Sequence, residues 1–100
     1  MSESSLLLGA EVDFHTIYGR LALSSVARAD RFDRIVHKAL QQLGDFPKSA
    51  PAFEEPFRRL VLKGFFLAFY YVVENQRVFV HAILDTRLPL TSIRHRLGLF

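Results

Sequence analysis

Apolar positions change their spacing once along this chain, near its middle. Phe32, Ile35, Val36, Ala39, Leu40 and Leu43 fall at i, i+3, i+4, i+7, i+8 and i+11, one continuous helical face, with Arg31, Arg34, His37, Lys38 and Gln41 on the others. Gly44 is placed to end this helix and Pro47 to prevent its resumption. Asp30 and Arg34 stand at i, i+4 with the acid first, the orientation that suits the helix dipole. Upstream, Phe14, Ile17, Tyr18 and Leu21 repeat at helical spacing between about Ala10 and Ser24, and Ser24 and Ser25 offer hydroxyl oxygens to cap the next helix. Before them Ser5 to Leu8 reads as a short edge strand ended by Gly9.

After residue 56 the pattern becomes strand-like. Phe57 to Lys63, Phe65 to Val73 and Arg77 to Leu84 are rich in Val, Phe, Tyr and Leu, with turns at Gly64 and at Glu74-Asn75-Gln76. Connections this short join antiparallel strands, and the nearly all-apolar middle run is the central one. Residues 48–56, with Pro51 and Pro56, read as a surface connection, and Thr91 to Leu97 as a last helical turn or two. The expected fold is α+β: an N-terminal strand and a helical hairpin on one face of a small antiparallel sheet, in the order β-α-α-β-β-β with a short C-terminal helix.

Composition narrows the class. At 100 residues the chain has room for one domain, 1–100, and with half its residues hydrophobic, ten Phe among them, it fills a core and is not disordered. It has no Cys, which excludes disulfides and thiolate metal sites. Met1 to Ser5 carry an acid and no base, and Leu6-Leu7-Leu8 is too short for a signal-peptide core. No stretch approaches the roughly 20 apolar residues of a bilayer span, so the expected location is the cytoplasm. The net charge of +3 is unevenly placed: residues 1–56 hold six basic and eight acidic side chains, residues 57–100 seven basic and two acidic. A basic half calls for an anionic partner, nucleic acid or an acidic protein segment. His15, His37, His81 and His95 lack metal-ligand spacing, and no glycine-rich phosphate loop is present, so neither metal nor cofactor is expected.

Several segments together resemble the ParE/RelE toxin superfamily, which includes ParE-like plasmid stabilisation proteins. Ala29-Asp30-Arg31-Phe32 and Leu43-Gly44-Asp45-Phe46-Pro47 are similar to the A-x-R-F and L-x-x-F-P of that family's second helix. Arg58-Arg59-Leu60-Val61-Leu62-Lys63-Gly64-Phe65 resembles R-R-L-x-V-x-G-F, and Tyr70-Tyr71-Val72-Val73-Glu74 resembles Y-Y-R-V-E. Arg77 to Leu84 matches the closing strand, with Arg87 where an H-G-x-R turn places its arginine. The likeness runs in order from about Leu6 to Arg87.

The resemblance implies the toxin of a type II toxin–antitoxin pair, silenced by an antitoxin whose C-terminal segment wraps it. Its RelE-like branch cuts messenger RNA on the ribosome; its ParE-like branch poisons DNA gyrase. RNA cleavage needs a base for the 2′-hydroxyl, cations for the developing charge and an acid for the leaving oxygen. Arg59, Lys63 and Arg87 offer a cationic patch, with Arg59 and Lys63 on one strand face. However, Ala68 and Val72 stand where the family carries arginines, and Asp85 replaces its turn histidine. The expected activity is therefore gyrase-directed and non-nucleolytic, with Arg58, Arg59, Lys63, Arg87, Arg94 and Arg96 engaging the target. An RNA-cleaving member working through Arg59, Lys63 and Arg87 is the alternative, and a harmless antitoxin-binding member a third. Tyr70 and Tyr71 alternate faces, which places one in the core and leaves the other to stack on a base or pack against the antitoxin. The tail 91–97 either engages the target or caps the sheet end through Ile93 and Leu97. An exposed groove in a Phe-rich domain further predicts poor solubility of the toxin expressed alone.

Overall fold

The computed structural model describes residues 3–100; Met1 and Ser2, the first two of the segment read as lacking a leader, lie outside the described residues. Eight elements follow one another: β1 (Ser4–Leu6), α1 (Leu8–Ser24), α2 (Val26–Asp45), β2 (Ala52–Glu54), β3 (Phe57–Leu62), β4 (Leu67–Glu74), β5 (Arg77–Asp85) and α3 (Leu90–Arg96). They build one five-stranded sheet in the order β1-β5-β4-β3-β2, and the class is α+β as expected.

Two features of the sheet went beyond the sequence pattern. β1 pairs with β5 in parallel, Ser5 opposite Phe79, so the sheet is mixed where an antiparallel one was expected. The connection from β1 to β5 runs through both helices and three strands, long enough for a parallel pair. β2 lies within the segment expected to be a plain surface connection. Its three residues pair irregularly with Phe57 and Arg58, too few to register as alternation, and the turn back to β3 contains a cis Glu55–Pro56 peptide.

The helical hairpin packs through the expected stripes. Phe32, Val36, Ala39 and Leu43 of α2 are buried, and Phe14, Ile17, Tyr18 and Leu21 of α1 lie against them. Phe14 and Phe32 stack with centroids 5.4 Å apart. Ser25 joins the helices: it is the last residue of one turn and the cap of the next, its Oγ accepting the Arg28 N–H at 3.1 Å. Ser24 instead ends α1 and donates its hydroxyl back to the Leu21 carbonyl. Gly9 and Gly44 do not act as boundaries, since α1 begins at Leu8 and α2 runs one residue past Gly44 to Asp45. The stop comes at Phe46, whose N–H donates to the Gln42 carbonyl, and Pro47 follows it. Asp30 does not take Arg34; its carboxylate accepts the Tyr18 hydroxyl at 2.7 Å and ties α1 to α2.

The two sheet faces have separate cores. Leu67, Phe69, Tyr71, Val78, Val80 and Ile83 face the helical hairpin, while Ala68, Tyr70, Ala82 and Leu84 face the other way. A bulge at His81 keeps this segregation: Tyr70 pairs with Ala82 but Tyr71 with Val80, so one extra residue of β5 is absorbed. On the second face sits α3, whose Ile93 is buried against Ala68, Tyr70, Ala82 and Leu84. Helices therefore cover both faces of the sheet, not one as expected. The reason is the apolar content of β4, whose Leu67 to Val72 are all buried and need cover on each side.

Candidate functional site

β3 divides the expected cations by strand alternation. Arg58 pairs with Tyr71 and lies on the hairpin side, where its Nη1 donates to the Ala50 carbonyl at 2.7 Å. Arg59 pairs with Tyr70 on the opposite face, its guanidinium 5.7 Å from the centroid of Phe53. Lys63 does not continue that face, because β3 ends at Leu62 and Lys63 opens the turn to β4. That turn holds two left-handed residues, Gly64 with φ 91° and Phe66 with φ 54°. They rotate Phe65 inward onto Phe32, at 5.6 Å, and leave Phe66 60% exposed. An extended run cannot contain such angles, which is why the strand expected from Phe65 starts at Leu67.

The β5–α3 turn meets this turn at the same end of the sheet, the Thr86 N–H donating to the Phe66 carbonyl at 2.8 Å. Arg87 lies over the Phe66 ring, 4.4 Å from its centroid. Its Nε and Nη2 donate to the two oxygens of Asp85 at 3.0 and 2.8 Å, and its backbone N–H adds a third bond at 2.8 Å. These bonds hold the Asp85 carboxyl down at about 2 and push the Arg87 guanidinium up. The acid that replaces the family's turn histidine thus satisfies Arg87.

The tail cations are likewise engaged. Arg94 forms an ion pair with Glu54 of β2. Arg96 donates to Asp13 Oδ2 of α1 at 2.7 Å, and the same oxygen accepts the Ile83 N–H of β5 at 3.0 Å. Both arginines hold α3 to the body of the protein, and Ile93 and Leu97 pack beneath it. The basic surplus of residues 57–100 is therefore spent partly on acids of the first half, which no local reading of charge reveals.

Tyr70 and Tyr71 are both fully buried, so in this structure neither ring is open to a base or a partner. Tyr71 donates to the Pro47 carbonyl at 2.9 Å, and burial pushes its phenol above the ordinary value. Tyr70 meets the edge of Phe53 at 5.2 Å, and its hydroxyl has no hydrogen-bond partner. The expectation that one stays exposed fails because α3 and Phe53 cover the second face. His81 is half-buried against Phe57 at 5.1 Å, and burial lowers its imidazole below the ordinary value.

Three cations of the helical hairpin were not among the expected residues. Arg20 and Arg28 line a cleft of about 590 Å³ together with Asp13, Phe65, Asp85 and Arg96. Arg28 and Arg31 both approach the Phe65 ring, at 5.0 and 5.8 Å. The signal was present: α2 has no acid in its first turn, and Arg28 and Arg31 are three residues apart, hence neighbours on one helix face. Only the Lys63–Phe66 turn, brought in by tertiary packing, makes that pair converge.

With this geometry in place, comparison with known proteins decides the family. The model of the family described as ParE toxin of type II toxin-antitoxin system, parDE, matches residues 6–88. The chain belongs to the ParE toxin family. None of the curated proteins matches it in sequence. Among solved structures, a chain of the chromosomal ParDE TA system from P. aeruginosa superposes with a TM-score of 0.72 at 17% identity, covering 85% of this chain and 96% of that one. At such identity the likeness is one of fold. The ParE match ends at residue 88, so α3 and its two anchoring arginines lie beyond it. Among the described residues no helix is long and apolar enough to cross a membrane.

Proposed function

We propose that this ParE-family toxin arrests growth by binding DNA gyrase without cutting RNA, and that a cognate antitoxin neutralises it. The observation that carries the reading is the filling of the second sheet face. Ala68, Tyr70, Ala82 and Leu84 are sealed there by Ile93, where an RNA-cleaving member of the superfamily would need open cations. The centre of that face is thus covered by an apolar contact, and its cation, Arg59, lies at the margin over Phe53.

The remaining groups support the same reading. Asp85, held near 2, is ionised at neutral pH and supplies no proton. Arg87 is already neutralised by it. Arg59 and Lys63 remain, but Lys63 opens the turn after β3 and does not continue the face that Arg59 occupies. Antitoxin binding draws support from the exposed Leu8 and Val12 of α1 and from the short edge strands β1 and β2, each with an unpaired side.

The test is inducible expression of the chain alone, with the DNA-damage response and messenger RNA integrity read from one culture. Arrest with DNA damage and intact messages is expected. Cleaved messages would refute the reading and move the activity to Arg59, Lys63 and Arg87. Absence of arrest with soluble protein present would mark a member that binds its antitoxin but has lost its toxicity.

A further inference from the structure

Arg28 and Arg31 bring two positive charges onto the Lys63–Phe66 turn, and among the described residues neither has a carboxylate within ion-pair distance. Their guanidinium groups lie 5.0 and 5.8 Å from the centroid of Phe65. Arg28 Nη2 reaches the Gly64 carbonyl at 3.5 Å, and an Arg31 nitrogen lies 3.4 Å from where a Cβ on Gly64 would stand. Both side chains are exposed. The nearest acids in sequence are engaged elsewhere, Asp30 by the Tyr18 hydroxyl and Asp33 by His37 at 3.0 Å. Among the described residues, Lys63 beside this turn and Arg20 across the cleft also have no carboxylate within ion-pair distance, whereas Arg87 and Arg96 at the same end each have one. Like charges gathered on one ring repel, and the arrangement becomes favourable when an oxyanion bridges them.

We propose that Arg28 and Arg31 clamp carboxylate side chains of a protein segment, and that this segment belongs to the toxin's target. The inference rests on the reading of the chain as a toxin with a protein target, and it names the surface that meets it. The surroundings favour protein over nucleic acid. Phe66 and Leu88 are 60% and 41% exposed, and Ile17, Leu21 and Leu67 line the adjoining cleft. An apolar centre with arginines beside it is the pattern of a protein interface, while nucleic-acid interfaces are more polar. Phe66 is also presented rigidly: its backbone is left-handed, and the Arg87 lying on its ring is locked by Asp85. A preorganised aromatic loses little entropy on binding. The groove lined by Leu6, Phe14, Val36 and Leu40 lies roughly 8–14 Å beyond Arg31 along α2, at 1.5 Å per residue, and leaves the antitoxin a separate seat.

The experiment compares the full chain with R28E/R31E, and with R28Q/R31Q as a charge-free variant that guards against misfolding. Growth arrest, affinity for the cognate antitoxin, melting midpoint and binding to a short single-stranded oligonucleotide are measured for each. The expected result is loss of arrest by about tenfold or more in survival, with antitoxin affinity and melting midpoint unchanged. Undiminished arrest overturns the proposal, as does a parallel fall in antitoxin affinity, or oligonucleotide binding that the reversal abolishes. If the wild-type chain arrests nothing, the toxin reading fails, and the clamp is judged by titrating the chain with a synthetic Leu/Glu-rich peptide. Amide shifts at Arg28, Gly64 and Phe66 that vanish in R28E/R31E sustain it; no shift there overturns it.

Discussion

Tyr70 and Tyr71 are adjacent, equally buried and energetically opposite. Tyr71 satisfies its hydroxyl on the Pro47 carbonyl, whereas the Tyr70 hydroxyl is buried without a partner. Removing a satisfied buried hydroxyl costs about 1 kcal/mol, while removing an unsatisfied one recovers a desolvation penalty. Tyr71→Phe is therefore expected to lower the unfolding free energy by about 1 kcal/mol and Tyr70→Phe to leave it unchanged or raise it, as urea denaturation will read. Asp85 gives a second residue-scale test. Its folded pKa lies near 2, below the ordinary 3.8, because Arg87 hydrogen-bonds the ionised form. A depressed carboxylate stabilises the fold above the unfolded pKa and loses that contribution as pH falls from 3.8 toward 2. The Asp85 carboxylate resonance should titrate near 2 and return toward 3.8 in Arg87→Gln; an unchanged midpoint would remove Arg87 as the cause.

At the scale of elements, α3 decides what the sheet can do. Seven residues form no stable helix alone, so its place depends on Ile93 packing and on the Arg94–Glu54 and Arg96–Asp13 pairs. The sequence left the tail open between engaging the target through Arg94 and Arg96 and capping the sheet end through Ile93 and Leu97. With both anchored, R94E/R96E is expected to release α3, seen as faster hydrogen exchange at the Ile93 and Leu97 amides, whose bonds go to Pro89 and Ile93. Ala68 is the other half of this contact. It is fully buried beneath Ile93, so the small side chain is what lets α3 dock. Ala68→Arg, which introduces the arginine that the sequence resemblance leads one to expect there, should cost more than about 3 kcal/mol through overpacking and a buried charge. A lowered melting midpoint without RNA cleavage would fit that account; new cleavage at undiminished stability would refute it.

For the whole molecule, the distribution of charge in space differs from its distribution in sequence. The second half carries the basic excess, yet Arg94 and Arg96 reach back to Glu54 and Asp13, and Arg58 is held by a backbone carbonyl. Among the described residues, Arg20, Arg28 and Arg31, cations with no ion-pair partner, come instead from the half with the acidic excess and join Lys63 at one end. Coulomb energy depends on distance, and chain position bears on it only through the fold.

The sequence by itself determined the two helices, the β3–β4–β5 meander and the α+β class, because their apolar spacing and turn residues are local properties set by backbone geometry. Phe32 to Leu43 needed no partner to declare a buried face, and the resemblance from Leu6 to Arg87 agreed with the ParE match over 6–88. Tertiary structure alone decided the parallel pairing of β1, the capture of Ala52–Glu54 as β2, the burial of both tyrosines and the side of the sheet that α3 covers. It also decided which arginines stay free. Each of these depends on groups far apart in the chain, Asp13 with Arg96 or Arg28 with Phe65, and a pattern read along one strand or one helix contains no information about what the opposite element brings to it.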